Sequence, residues 1–307
     1  MKLKTLAAAA LALCLAASAC DTQQYAAGIG DFGTASATVI QQTKDAYKLV
    51  NDTVLQQQIL ALTARSSPIT TDPVKEFPPF LPEEDLTIRG TLLDGLQAYA
   101  SALGSLTGKA KADLDTETAK LAGSLKDLGK NDRLQHSFRE TKSISPEAFN
   151  AAATGVEAIG NFLIDRKIAR DLPAILTKTE PTIEAIAALF IHEIGDVPAS
   201  NDPGGLRGKL WRTYNSLIEQ QTFLVNRNDP GSAEKQQNVA RLAALVAAQK
   251  NADAGLAGTQ AALRKLIASH QALLRVQTAP ATFKTVIASL WAEAKAAQDF
   301  YAKLPAK

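Results

Sequence analysis

The sequence predicts an all-α protein, an elongated bundle of six to seven long, mostly antiparallel helices. Three observations carry this. Apolar residues recur at alternating three- and four-residue spacings along most of the chain, the pattern of near-parallel helices crossing at about 20°. No stretch shows period-two alternation bounded by hairpin turns. The segments between stripes concentrate Pro, Gly, Asn and Asp, which interrupt helices.

In chain order, residues 21–33 (DTQQYAAGIGDFG) are polar and Gly-rich and read as a tether. From Thr34 a stripe begins, with Ile40, Tyr47, Val54 and Ala61 one heptad apart and Val50, Leu55, Ile59 and Leu62 widening it. Five prolines in 66–82 forbid a regular helix and predict an extended connection. The next helix starts near Pro82 with Glu83, Glu84 and Asp85 in its first turn, where carboxylates suit the helix dipole. Its stripe is Leu92, Leu96, Tyr99, Leu103, Leu106 and Ala110; Leu114, Leu121, Leu125 and Leu128 continue it slightly offset. GKND at 129–132 is a stop.

Ser145, Pro146 and Glu147 form a helix start, followed by Phe149, Ala152, Val156, Ile159 and Leu163. Pro173 and Pro181 break the run. Thr179 is then placed to cap a short, very apolar helix carrying Ile183, Ile186, Ala187, Phe190, Ile191 and Ile194. After a loop at 195–205 come Leu210, Tyr214, Leu217, Gln221 and Leu224, ended by NRNDPGS at 226–232. The longest pattern spans 233–277, and the last helix follows Pro280 with Phe283, Ile287, Leu290, Ala294, Ala297, Tyr301 and Leu304.

The N-terminus has a different character. Lys2 and Lys4 precede an uncharged Ala/Leu run ending in Ala17-Ser18-Ala19, the layout of a secretory signal with an A-x-A cleavage site. That run is too short to span a bilayer comfortably, which takes about 20 residues. Of the two cysteines, Cys14 leaves with the leader and Cys20 becomes the first mature residue and its sole thiol. An odd cysteine in an exported chain calls for a partner or a modification. Residues 17–20 resemble a bacterial lipobox, with Ala17 where leucine is usual. The resemblance implies a thioether from Cys20 to diacylglycerol and an acylated amine, and more than one chain makes anchoring stable. Asp21 resembles the inner-membrane retention signal of enteric bacteria. The expected organisation is therefore a signal peptide at 1–19, a lipidated tether at 20–33 and one helical domain at 34–307.

Removing Lys2 and Lys4 lowers the 33 basic residues to 31, equal to the 31 acidic ones. Such neutrality argues against nucleic-acid binding.

Candidate chemistry is sparse. His192 lacks the H-E-x-x-H spacing, and no Glu-x-x-His occurs. His136 and Glu140, one helical turn apart, supply two ligands where a closed zinc site needs four. GIGDFG at 28–33 follows no strand, so it is no phosphate loop. No catalytic residue, metal or cofactor is expected. The anomaly is the seam of 233–277, counted as Val239, Leu242, Val246, Gln249, Asp253, Leu256, Gln260, Leu263, Ile267, His270 and Leu274. Gln249, Asp253, Gln260 and His270 stand where apolar residues pack better. The expectation is that the buried face drifts around the axis and leaves them partly at the surface, where Gln249 and His270 tolerate leucine. The alternative is a polar ligand or partner face.

The functional expectation is a non-enzymatic binding or scaffold lipoprotein of the bacterial envelope. It is expected to be held by its lipid at the inner or outer membrane, facing the periplasm or exterior, with another envelope protein as its partner. Two alternatives are a carrier of an apolar ligand between helices and a membrane-active protein that releases Pro173 to Ile194.

Overall fold

The structure, a computed structural model, describes residues 2–63, 77–107, 123–127, 137, 172–195, 205–275 and 280–302, with side chains from Gly28 onward. Every regular element among them is helical: α1 (Lys2–Thr63), α2 (Glu83–Thr107), α3 (Leu172–Ile194), α4 (Gly205–Arg227), α5 (Ala233–Leu274) and α6 (Pro280–Ala302), with a short helical stretch at 123–127. The predicted helix over 145–163, the stop at 129–132 and the side chains of Cys14 and Cys20 lie outside the described residues, as do His136 and Glu140.

Inter-helix contacts fix the directions. Asn51 and the Leu81 backbone exchange hydrogen bonds of 3.3 and 3.0 Å, while Gly33 lies against the Ala100 carbonyl, so α1 and α2 run antiparallel. The Phe300 ring covers Gly255 and Ala297 lies against Gly258, so α5 and α6 are antiparallel as well. Arg207–Asp253 and Gln221–Asn238 pair α4 with α5 in the same sense. By contrast, Phe283 against Gly28 and Gln42 bonded to the Ala294 carbonyl make α1 and α6 parallel. α1, α3, α4 and α6 therefore point one way and α2 and α5 the other. At 1.5 Å per residue the 42 residues of α5 run about 63 Å, the length of the bundle.

α3 and α4 follow one another along α5. Gly195 closes α3 in the left-handed region (φ 69°), its N–H donating to the Ile191 carbonyl at 3.2 Å. Gly205 opens α4 at φ 55°, pressed on the Glu193 and Ile194 carbonyls where no Cβ fits. At the other joint, Ser232 caps α5 by accepting the Lys235 N–H at 3.1 Å.

Over their described residues the stripes predicted for α2, α4 and α6 are the buried faces; the side chains of Leu106, Ala110 and Leu304 lie outside the described residues. Leu92, Leu96, Tyr99 and Leu103 are all 3% exposed or less, and Leu210, Leu217, Leu290 and Ala294 lie in the same core. Three expectations need correction. First, the bundle does not begin at Thr34. Ile29 and Phe32 are each 1% exposed, and Gly28 and Gly33 give close approach to Phe283 and α2, so residues 28–33 belong to the core rather than to a tether. Burying two such side chains stabilises by about 1.5–3 kcal/mol each. Second, α3 is one helix through Pro181. Thr179 is not its cap but a buried side chain, and burial of Leu176, Ile183 and Ile186 on both sides offsets the missing N–H. Third, Leu55 and Ile59 of α1 are 38% and 47% exposed, beyond the reach of α2 and α6. Among the described residues no helix is long and apolar enough to cross a membrane.

Candidate functional site

The interior holds polar clusters at successive heights along the bundle. The most enclosed joins α1, α2 and α3. Arg89 and Glu193, 2% and 1% exposed, form an ion pair in which Arg89 Nε donates to both carboxylate oxygens at 2.9 and 3.1 Å and Nη2 reaches Oε1. Nη1 donates to the Asp85 carbonyl at 3.0 Å and to Ser137 Oγ at 2.6 Å, and Nη2 also donates to the Ser137 carbonyl at 3.0 Å. All five guanidinium donors are thus engaged. The Tyr47 hydroxyl donates to Glu193 Oε2, and its ring lies 5.6 Å from the guanidinium carbon. Burial pushes the Glu193 carboxyl up against the pull of Arg89. It raises the Tyr47 phenol too, with the Glu193 charge adding to the effect.

A second, neutral cluster lies toward the end where the α1 core begins. The Tyr99 hydroxyl sits 2.5 Å from Thr179 Oγ1 and 2.8 Å from His270 Nε2, tying α2, α3 and α5 together. Phe32 closes the fourth side, its ring centroid 6.0 Å from the imidazole. His270 is 1% exposed, and its Nδ1 has no hydrogen-bond partner among the described residues. Burial lowers its pKa to about 4, so the ring is neutral at pH 7.

The remaining seam residues each bond to a separate partner rather than to one another. Gln260 donates to the Ile191 carbonyl at 3.0 Å, and Gln249 to the Trp211 carbonyl at 3.2 Å and Asn215 Oδ1 at 2.7 Å. Asp253 receives the Arg207 fork at 2.8 and 2.9 Å. These residues do not assemble into one site, because Gln249 and His270 lie about 30 Å apart along α5 at helical rise.

The drift expectation is also overturned. Gln249, Gln260 and His270 are 7%, 5% and 1% exposed, whereas the apolar seam residues Val239 and Val246 are 47% and 38% exposed. A fixed heptad count slips by about 20° per heptad against a straight helix. The count is aligned with the core at the C-terminal part of α5, and its apolar N-terminal third is the part that rotates outward. The polar residues stay inside because each meets a donor or acceptor from α2, α3 or α4.

Arg89 and Glu193 went unread in the sequence, although the signal was there. Stepping the stripe Tyr99, Leu96, Leu92 back by one turn lands on Arg89, and stepping Ile183, Ile186, Phe190 forward lands on Glu193. A charge on an otherwise apolar stripe in two segments is the sequence mark of a buried pair.

Between α1 and α4 an open groove of about 250 Å³ is lined by Leu60, Glu219, Gln220, Phe223 and Leu224. It is smaller than the cavities of about 300–1,000 Å³ that enclose drug-sized ligands. Among the described residues no three His, Cys, Asp or Glu side chains are grouped to hold a metal ion. Comparison with known protein families, curated proteins and solved structures returns no match.

Proposed function

We propose that this chain is a lipid-anchored protein of the bacterial cell envelope whose helical bundle serves as a non-enzymatic binding or scaffold module. The observation that carries the reading is Cys20, set directly behind an A-x-A cleavage site and followed by no other cysteine. A thioether-linked diacylglycerol there, with an acylated amine, holds the domain at a membrane face, since each buried CH₂ contributes about 0.8 kcal/mol. The polar groups of the bundle add support for a structural rather than chemical role. Arg89, Glu193, Gln249, Asp253 and Gln260 use their hydrogen-bonding capacity on one another and on neighbouring helices. The partner is another envelope protein.

Intact mass of the mature N-terminus tests the anchor. The expected result is a diacylglyceryl-plus-acyl increment on Cys20, with Cys20→Ser releasing the domain from the membrane. An unmodified thiol on aqueous wild-type protein overturns the reading. Crosslinking in the native envelope followed by pull-down then identifies the partner.

A further inference from the structure

The buried start of α1 limits how the domain can sit on a membrane. Ile29 and Phe32 are sealed in the core and Phe283 packs on Gly28, so only residues 20–27 separate the lipidation position from the folded body. α1 runs without interruption through this stretch, and Gly28, Gly30 and Gly33 all keep a negative φ. Eight residues of helix span about 12 Å, and the 35 steps from Gly28 to Thr63 add about 53 Å. The tether is thus short, collinear with the bundle and far shorter than the bundle itself.

From this we infer that the protein stands end-on, with the end bearing Gly28, Arg275 and Phe283 against the bilayer. The end bearing Thr63 and the Arg227–Ser232 turn is then held about 65 Å away. The inference rests on the anchor proposed above. Among the described residues no charged or apolar flank pulls the rod down onto the lipid. The mature chain has equal numbers of acidic and basic residues. Among the described residues the exposed large apolar side chains, Leu55, Ile59, Phe223, Val239 and Val246, all lie toward the far end, on α1, α4 and α5, rather than along the flank near the bilayer. The bilayer's partner surface is therefore the near end, and the far end is the surface offered to an envelope partner.

The test uses the full-length acylated protein in phosphatidylethanolamine–phosphatidylglycerol vesicles carrying an acceptor-labelled lipid. With Cys20 blocked by its lipid, Lys284→Cys and Asp229→Cys each supply one thiol for a donor dye; both positions are exposed. End-on standing gives strong energy transfer from position 284 and little from 229. A flexible Gly/Ser insertion between residues 27 and 28 brings the two values together. Acylated, vesicle-bound protein with equal transfer from both positions overturns the orientation while leaving the anchor intact. An unmodified Cys20 on protein that fails to float with the vesicles overturns both.

Discussion

At the level of Phe32 and His270 five helices surround the core, whereas beyond Asn51 the described chain offers three, α1, α4 and α5. The five-helix region encloses polar groups almost completely: Arg89, Glu193 and His270 are all 2% exposed or less. The three-helix region leaves Ile59, Phe223 and Val239 at 47%, 53% and 47% exposure. Residue type alone would assign these the other way round. What decides burial is how many neighbours cover a helix face, and a polar side chain is retained inside where one of those neighbours supplies its partner.

The comparison is broken most severely by trimming the five-helix end. A chain starting at Thr34 loses Ile29 and Phe32, and its unfolding free energy from urea denaturation should fall by about 3–6 kcal/mol relative to one starting at residue 20 with Cys20→Ser. Glu193→Gln keeps the shape but leaves the Arg89 charge buried and uncompensated. Equilibrium unfolding should show a loss of about 3–5 kcal/mol.

His270 sharpens the contrast through pH. Its folded pKa of about 4 lies below the unfolded value near 6.5, so the unfolded chain binds more protons between these limits and stability rises with pH there. The His270 contribution should be complete above pH 6.5 and disappear as pH falls to 4, a change of about 3 kcal/mol. His270→Gln, which does not titrate, should flatten that part of the stability–pH curve; an unchanged slope assigns it to other groups.

The smaller effects compare two positions on one helix. Gln249→Leu takes the donor away from the Asn215 side-chain oxygen and the second bond from the Trp211 carbonyl, at about 1–3 kcal/mol by thermal or urea melts. Ten residues earlier, Val239→Gln should change stability by less than about 0.5 kcal/mol, because its side chain already faces water.

Much of the architecture was legible in the sequence. The three–four spacing identified the buried faces of α2, α4 and α6 because each lies against neighbours along its length. Boundaries were harder where composition misled. The glycines at 28, 30 and 33 suggested a tether, yet those at 28 and 33 permit close packing against Phe283 and Ala100. Pro181 suggested a break in a segment whose flanking residues are buried strongly enough to keep it helical. The polar seam was visible as an anomaly, but its outcome was not. Gln260 depends on a carbonyl 69 residues away and His270 on a phenol 171 residues away, and periodicity carries no information about such partners.

The parallel seating of α1 beside α6 also has a kinetic consequence. Gln42 and the Ala294 carbonyl are separated by 252 residues, so the groove that receives Phe283 and Ala294 cannot close on a partial chain. Helices form within microseconds, but pairings this distant in sequence slow folding, because the ordering of the chain precedes the contacts that reward it. The first helix must wait for the last. A chain stopped short of α6 leaves the Gly28 and Gly255 faces bare, and those surfaces are where a nascent or truncated form is most exposed to proteases and to sticking.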